Sequence, residues 1–446
     1  MIFIPQAALK KSRMDWTLFV SILLLLIVGT VAVISSVAVL PQQAKIVRTQ
    51  FIALPLALIA FSAAWSLNYQ VFQDQWKFVY GLTLMSLAAV LLFGVADKGA
   101  RSWFHLPFFS VQPSEFARIG LILVLANYLD KRIVKIRELS VVLGAFLLAL
   151  PVFFLLIKQP DFSAILITLP IILIMLFAAG ANISHLAIIL GYSFISGLFP
   201  VLWTLISMNP ELLDSPLVNY FFRLSDFGWN ALFFVSGTGL AAYLLWVLSV
   251  KLYSNISGVF FAGAAIVISL GFLSGIMVKR QMKEYQQKRL EVFLSPETDP
   301  RGAGYNLLQA RVAIGSGGIL GRGIFSGTQS RLGFVPERHT DFILAVIGEE
   351  MGFWGTMLVA GLYVLVLRRI MLTARLARDR FGYLVSCGIF GMFMVYFFIN
   401  FGMLLGLIPV AGVPLPLLSY GGSNMVATLT AAGIMQSIYA RRYALV

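Results

Sequence analysis

The chain has 446 residues, 59% of them hydrophobic and 12% charged, with 33 Lys and Arg against 19 Asp and Glu for a formal charge of +14. A soluble globular chain carries about 25% charged residues, so this composition excludes a soluble domain and describes an integral membrane protein. The positive excess sits in short clusters between apolar runs, which the positive-inside bias accounts for without nucleic acid; the single cysteine, Cys387, excludes an internal disulfide or a Cys-paired metal site.

A helix needs about 20 apolar residues to cross a bilayer. Twelve runs qualify: 15–37, 49–68, 77–96, 113–129, 138–157, 161–180, 184–207, 228–249, 255–278, 346–367, 383–408 and 424–442. The first follows Lys10, Lys11 and Arg13, but it is too long for a signal peptide and has no small-residue cleavage site, so it reads as a retained helix. Two uncharged stretches, 162–210 and 381–440, must each hold two helices, broken at Gly180-Ala181-Asn182 and in the Pro/Gly-rich segment 409–422. The expectation is an all-α polytopic membrane protein of about twelve spans, one membrane domain over residues 1–446.

Lys/Arg bias sets the orientation. With the N-terminus inside, the clusters at Lys10–Arg13, Lys131–Arg137, Arg368–Arg380 and Arg441–Arg442 all fall on the cytoplasmic side, as do both termini. Residues 97–112, the corner Lys158–Asp161 and the long loop 279–345 then face outward.

The first outward segment holds Arg101 and an aromatic group of Trp103, Phe104, Phe108 and Phe109, a composition suited to an interface. Gln112-Pro113-Ser114-Glu115 is a helix start, with Pro and a carboxylate in the first turn. Glu115 and Arg118, three residues apart, share a helix face, as a structural ion pair or as a substrate contact. In the second corner Asp161 follows Pro160 and is placed to cap a helix, with Lys158 just outside; a cap alone accounts for Asp161, and its outward position adds a functional reading.

The loop 279–345 carries ten Lys/Arg against six Asp/Glu. A basic outer surface beside the membrane attracts an anionic lipid headgroup such as a pyrophosphate. Its opening, residues 278–293, suits a helix lying in the headgroup layer. The following glycines, from Gly302 to Gly333, predict irregular backbone able to bring N–H groups to an anion. The loop ends on Glu337, Arg338, His339, Thr340 and Asp341, where a polar segment runs into an apolar helix expected near 346. A charge at the edge of the bilayer is costly and marks function. Thr340 and Asp341 are placed to cap that helix, and Glu349, eight residues on, shares roughly one face with Asp341; Arg338, Arg118 and Arg101 are the candidate partners of such a carboxylate. In the last outer segment, Pro409, Pro414, Pro416, Gly421 and Gly422 break the helix, a feature tolerated at membrane depth only inside protein or along a cavity. Ser419, Tyr420, Ser423 and Asn424 would give that cavity polar groups.

These segments together resemble the SEDS family, the polytopic bacterial membrane enzymes that build peptidoglycan glycan strands. The resemblance rests on KGARSWF, QPSEFAR, QPDFSA, the run from Asp299 to Gln329, PERHTDFILAVIGEE and GVPLPLLSYGGS, in family order from residue 98 to 423. PERHTDF and GVPLPLLSYGGS are more similar to the elongation branch than to the division branch. The resemblance implies a glycosyltransferase acting on lipid II at the outer face of the bacterial cytoplasmic membrane, with Asp341 essential. By the same motifs it implies roles for Arg101, Trp103, Glu115 and Asp161, and the outward segments add Arg118, Lys158, Gln329, Glu337, Arg338, His339 and Ser419 as candidate substrate contacts. Arg118 stands where the family usually has Lys, and Phe162-Ser163-Ala164 replaces the common Leu-Gly-Thr. The family usually has ten helices, so an extra pair is expected within 209–278, just before the outward loop 279–345.

The implied chemistry is an inverting transfer. Asp341 takes a proton from an acceptor hydroxyl, and pyrophosphate leaves with its charge met by Arg or Lys and by a divalent cation, Mg2+ or Mn2+. Implied partners are lipid II, the lipid-linked glycan strand, a class B penicillin-binding protein and elongation-complex proteins of the MreC, MreD and RodZ type. The alternatives are a lipid II flippase, a division-type polymerase and a noncatalytic scaffold.

Overall fold

A computed structural model describes residues 14–97, 100–105, 109–252, 256–282, 284–299, 302–331 and 337–443. Lys10, Lys11, Arg13, Phe108, Gly333 and Pro336 lie outside the described residues. In chain order the helices are α1 (Trp16–Val37), α2 (Gln43–Ser66), α3 (Gln70–Asp74), α4 (Trp76–Phe93), α5 (Pro113–Asp130), α6 (Leu139–Lys158), α7 (Phe162–Ala179), α8 (Ile183–Met208), α9 (Pro216–Arg223), α10 (Trp229–Lys251), α11 (Gly258–Gln281), α12 (Glu284–Leu294), α13 (Ala303–Gly317), α14 (Thr328–Arg331), α15 (Ile343–Leu376), α16 (Arg380–Leu405) and α17 (Gly422–Ala440).

Among the described residues, ten helices are long and apolar enough to cross a membrane: α1, α2, α4, α6, α7, α8, α10, α11, α15 and α16. The remaining two of the twelve expected runs are α5 and α17, of 18 and 19 residues. At about 1.5 Å per residue each is long enough to span the apolar layer. Both are buried along almost their whole length, α5 against α4 and α16 and α17 against α2. Protein on all sides is what allows them to carry Glu115, Arg118, Asn424 and Gln436.

Local chemistry sets the ends. Asp15 caps α1 by accepting from the Leu18 N–H at 3.1 Å, and Asp379 caps α16 through the Gly382 N–H at 2.7 Å. Gly180 and Gly406, at φ 93° and 73°, close α7 and α16 in the left-handed conformation that glycine adopts without strain. A small antiparallel sheet of β1 (Val95–Asp97), β2 (Ala100–His105) and β3 (Ser110–Val111) occupies the first outward segment and takes Val95 and Ala96 from the end of the expected 77–96 run. Its register pairs Val95 with Trp103 and Phe104 with Val111.

The chain divides into two compact units, Met1–Asn182 with Asn306–Val446, and Ile183–Tyr305. In the first, the basic clusters share one end. There Tyr69 and Gln70 donate to Asp379 at 2.6 and 2.9 Å, Gln73 to Asp130 at 3.0 Å, Arg369 to Asp15 at 2.9 Å, and Arg441 to the Ser66 carbonyl at 2.9 Å. Away from that end, hydrogen bonds draw together Ser110, Gln112, Asp161, Ser163, Asp341, Ala411, Val413 and Ser423, with Asp341 and Val413 joined by way of Asn400.

The second unit holds α8 to α12. Phe199, Trp203, Leu224, Ala231, Phe272 and Ile276 form its core. Ser274 donates to Ser196 at 2.9 Å and Thr238 meets Ser269 at 2.8 Å, hydroxyl contacts that tie neighbouring helices where lipid offers no competing partner. Residues 209–278 contain α9, α10 and α11, and α12 occupies much of the basic stretch that opens 279–345.

The expectation of irregular backbone through the glycine-rich stretch fails over α13. Its interior, from Tyr305 to Ile314, is glycine-free, and Gly315, Gly317 and Gly318 cluster at its C-terminal end, where Gly318 turns the chain at φ 56°.

Candidate functional site

The site belongs wholly to the first unit. The turn before α15 is built on Glu337, a non-glycine residue at φ 52°. Its carbonyl accepts from the Thr340 N–H and hydroxyl, both at 3.1 Å, and Thr340 Oγ1 also meets Glu337 Oε2 at 3.2 Å. A left-handed non-glycine residue stores strain that the surroundings must hold. Arg338, 3% exposed, supplies part of that hold by donating from Nε to the Ser36 carbonyl at 2.6 Å. Burial pushes its guanidinium down from the usual arginine value. Asp341 follows, half-buried, immediately before the helix cap. Phe342 stands at the cap position with no side-chain cap bond of its own, and the Thr340 hydroxyl turns back to the Glu337 carbonyl.

Two ties fix this turn to the broken segment between α16 and α17. The Tyr420 N–H donates to the His339 carbonyl at 2.8 Å, with the two rings 5.5 Å apart. Asn400 on α16 donates from Nδ2 to the Asp341 carbonyl at 3.2 Å and to the Val413 carbonyl at 2.9 Å.

The same broken segment reaches the other outward corners. Ser163 donates to the Ala411 carbonyl at 2.6 Å. Ser423 Oγ donates to the Ser110 carbonyl at 2.9 Å and accepts from the Gln112 N–H at 2.8 Å. Asp161 caps α7 through Ala164 at 3.1 Å, and it also accepts from Ser114 at 2.9 Å and Gln112 at 3.0 Å on α5. A continuous run of hydrogen bonds therefore links the Asp341 turn to Asp161 through residues 409–423.

Beside it, Arg118 holds the Glu115 carboxylate at 2.8 and 2.9 Å, and Tyr396 and Asn424 donate to the same carboxylate at 2.8 and 3.1 Å. Arg118 also meets the Tyr396 hydroxyl.

The remaining predicted residues spread over the rim or turn inward. Arg101 is exposed on β2, with one guanidinium nitrogen 3.3 Å from the Leu91 carbonyl; Trp103 is half-buried opposite Val95. Lys158 ends α6, exposed, with its ammonium 5.6 Å from the Phe154 ring centroid. Ser419 does not present its hydroxyl to a cavity: Oγ accepts from the Leu415 N–H at 2.8 Å within the broken segment.

Gln329 lies on α14, where Glu349 Oε1 accepts from the Gln329 N–H at 2.7 Å and Oε2 from the Ser330 N–H at 2.8 Å. Glu349 is thus the anchor of the 328–330 turn, and the expected arginine partner is replaced by backbone amides. Of the three candidate arginines, Arg118 serves Glu115 and Arg338 donates to Ser36, while Arg101 stays on the rim. Glu350 accepts from Ser35 on α1. Sequence reasoning passed over Asn400 and Tyr396; the signal was available, since a polar side chain in an apolar span is costly without a purpose.

Among the described residues no three His, Cys, Asp or Glu side chains form a metal cage. The carboxylates of Glu337 and Asp341, four residues apart in one turn, are hard oxygen donors.

The fold and site define a multi-pass α-helical membrane protein with a polar, carboxylate-bearing face at one end of its bundle. The chain belongs to the cell cycle protein family FTSW_RODA_SPOVE, which it matches over residues 15–212 and 230–444. It is 33% identical over 390 residues to "Peptidoglycan glycosyltransferase RodA" of Treponema pallidum, covering 84% of this chain and 85% of that one. It is 30% identical over 448 residues to "Probable peptidoglycan glycosyltransferase FtsW" of Trichlorobacter lovleyi, covering 99% and 97%. A solved chain from a study of polymerization and crosslinking by a peptidoglycan synthase complex superimposes with a TM-score of 0.65 at 28% identity, covering 97% of this chain and 99% of that chain.

Proposed function

We propose that this chain is a peptidoglycan glycosyltransferase of the elongation type, polymerising glycan strands from lipid II at the outer face of the bacterial cytoplasmic membrane. The observation that carries the reading is the linked polar face: Asp341, Asp161 and the broken segment 409–423 converge opposite the basic end of the bundle. By the positive-inside bias, the basic end and both termini are cytoplasmic.

Asp341 is the general base. It takes the proton of the acceptor sugar's 4-hydroxyl as that oxygen attacks the anomeric carbon of the lipid-linked strand. The new C–O bond forms as the bond to pyrophosphate breaks, and the lipid pyrophosphate leaves with the electron pair. One displacement inverts the anomeric centre, so no carboxylate nucleophile is needed. Arg101 and Lys158, exposed on the rim, meet the pyrophosphate charge. A divalent cation, Mg2+ or Mn2+, would supply further neutralisation of the leaving pyrophosphate when bound. Trp103 offers an aromatic surface to the substrate, and Gln329, Arg338 and His339 flank the acceptor side. The buried Glu115–Arg118 pair and Asp161 shape the site from beneath, and Ser419 does so through its backbone turn.

The partners are a class B penicillin-binding protein and elongation proteins of the MreC, MreD and RodZ type. Similarity to the FtsW-named relative keeps a division role as the second reading. The test is lipid II polymerisation by the purified protein with its class B partner, wild type against Asp341→Asn. A glycan ladder lost only in the variant supports the assignment. A ladder of equal yield from both removes Asp341 from the chemistry, and lipid II movement with no ladder from either makes the chain a flippase.

A further inference from the structure

We propose that Asn400 is a positioning residue for the Asp341 base, an inference that rests on the proposed polymerase reading. Asn400 sits within α16, with no exposed surface. An amide in the interior of an apolar span is costly to bury, so its hydrogen bonds identify its task. Both go to backbone carbonyls of non-helical segments far apart in sequence: Asp341 at 3.2 Å and Val413 at 2.9 Å. Oδ1 has no hydrogen-bond partner and is buried. The donor end alone is in use, joining the peptide that carries the base to the loop that closes the site.

The turn that carries Asp341 ends at Phe342, which has no side-chain cap bond of its own. It pivots on Glu337 in a left-handed conformation. The Tyr420–His339 bond fixes the turn two residues earlier, and Arg338 fixes it three residues earlier. Asn400 ties the Asp341 carbonyl to α16, while the Phe342 N–H of the same peptide donates to the Glu337 carbonyl at 3.4 Å. Without Asn400 the turn keeps its anchors at 338 and 339 and its own internal bonds, and the Asp341 carbonyl loses its link to α16 and Val413. The expected consequence is a misplaced base on a folded protein.

The test uses the full-length protein with its class B partner, in five versions: wild type, Asn400→Asp, Asn400→Ser, Asn400→Gln and Asp341→Asn. Asn400→Asp keeps shape and volume but offers no donor when ionised and a single one when protonated, so at least one of the two bonds is lost. Asn400→Ser retains a single short donor and serves if the Asp variant does not fold. Displacement of a reacting group by about 1 Å costs up to about 100-fold in rate. We therefore expect kcat to fall by 10- to 100-fold, with KM for lipid II within about twofold. Partner co-purification should be retained, and Asn400→Gln, whose amide can still donate, should recover part of kcat.

If the folded Asn400 variants keep wild-type kcat while Asp341→Asn is inactive, the positioning role is wrong and the polymerase reading stands. If they lose kcat only in proportion to lost folded protein, Asn400 is structural and the proposal is overturned. If Asp341→Asn is itself active, the underlying reading fails first.

Discussion

Arg118 reaches back one turn of α5 and holds the Glu115 carboxylate with both terminal nitrogens, at 2.8 and 2.9 Å, with the two side chains only 4% and 7% exposed. Breaking a buried pair leaves a charge without its partner, at a cost of about 3–5 kcal/mol, whereas replacing both members by apolar residues is often neutral. Glu115→Ala should therefore lower thermal stability in detergent sharply, and Glu115→Leu with Arg118→Met should restore much of it. A double variant as unstable as the single one would mean that the Tyr396 and Asn424 bonds to Glu115 matter more than the charge.

Glu349 binds the backbone amides of Gln329 and Ser330 with no surface exposed. Hydrogen bonds to a charged group contribute about 1.5–3 kcal/mol each. In Glu349→Gln one oxygen becomes a donor facing a donor, so hydrogen exchange across 323–331 should quicken while the rest of α15 stays protected. Unchanged exchange there would show that Arg322, which donates to Thr328 at 2.7 Å, holds the turn instead.

Gly352 interrupts α15 at φ 67° and ψ −160°, a region open essentially to glycine alone. A Cβ there would stand 2.7 Å from the Ile319 carbonyl oxygen. Gly352→Ala should destabilise by about 1–3 kcal/mol. Gly361→Ala, on the same helix with nothing within 4 Å of the new methyl group, should be neutral or stabilising. Thermal unfolding of the two variants side by side separates backbone strain from a general effect of lengthening side chains.

Tyr69, outside the spans, is buried, and its hydroxyl donates to Asp379 at 2.6 Å. Burial first, and then this hydrogen bond, raise its pKa above the usual tyrosine value. A group whose folded pKa is raised contributes stability that is complete below the unfolded pKa of about 10 and is lost as the pH climbs through the folded value. The wild type should therefore lose more stability between pH 9 and 11 than Tyr69→Phe, which has nothing to ionise. Parallel curves for the two proteins would contradict this.

Arg101 and Lys158 are exposed on the rim. Surface substitutions of this kind usually change stability by less than about 0.5 kcal/mol. If these cations meet the pyrophosphate, Arg101→Gln and Lys158→Gln should raise KM for lipid II several-fold at unchanged melting temperature, an effect weakened by added salt. A KM indifferent to both changes would take them out of the site.

The sequence by itself determined the elements. Every expected span falls on a helix, because apolar length, capping aspartates and terminal glycines act within a few residues of themselves. The described basic clusters between spans share one end of the first unit. The Glu115–Arg118 pair was legible for the same reason: three residues on a helix is a local distance.

Tertiary structure alone decided which partners the outward segments chose. Ser423 meets Gln112 across 311 positions, and Asn400 meets Asp341 across 59. No periodicity encodes such pairs; packing sets them, because in a bundle every buried donor must find an acceptor among whatever backbone has been brought near. That is why Glu349 went to the amides of a neighbouring turn rather than to an arginine. It is also why α13 formed in a glycine-rich stretch, and why an asparagine hidden in an apolar span became the link between Asp341 and the loop beside it.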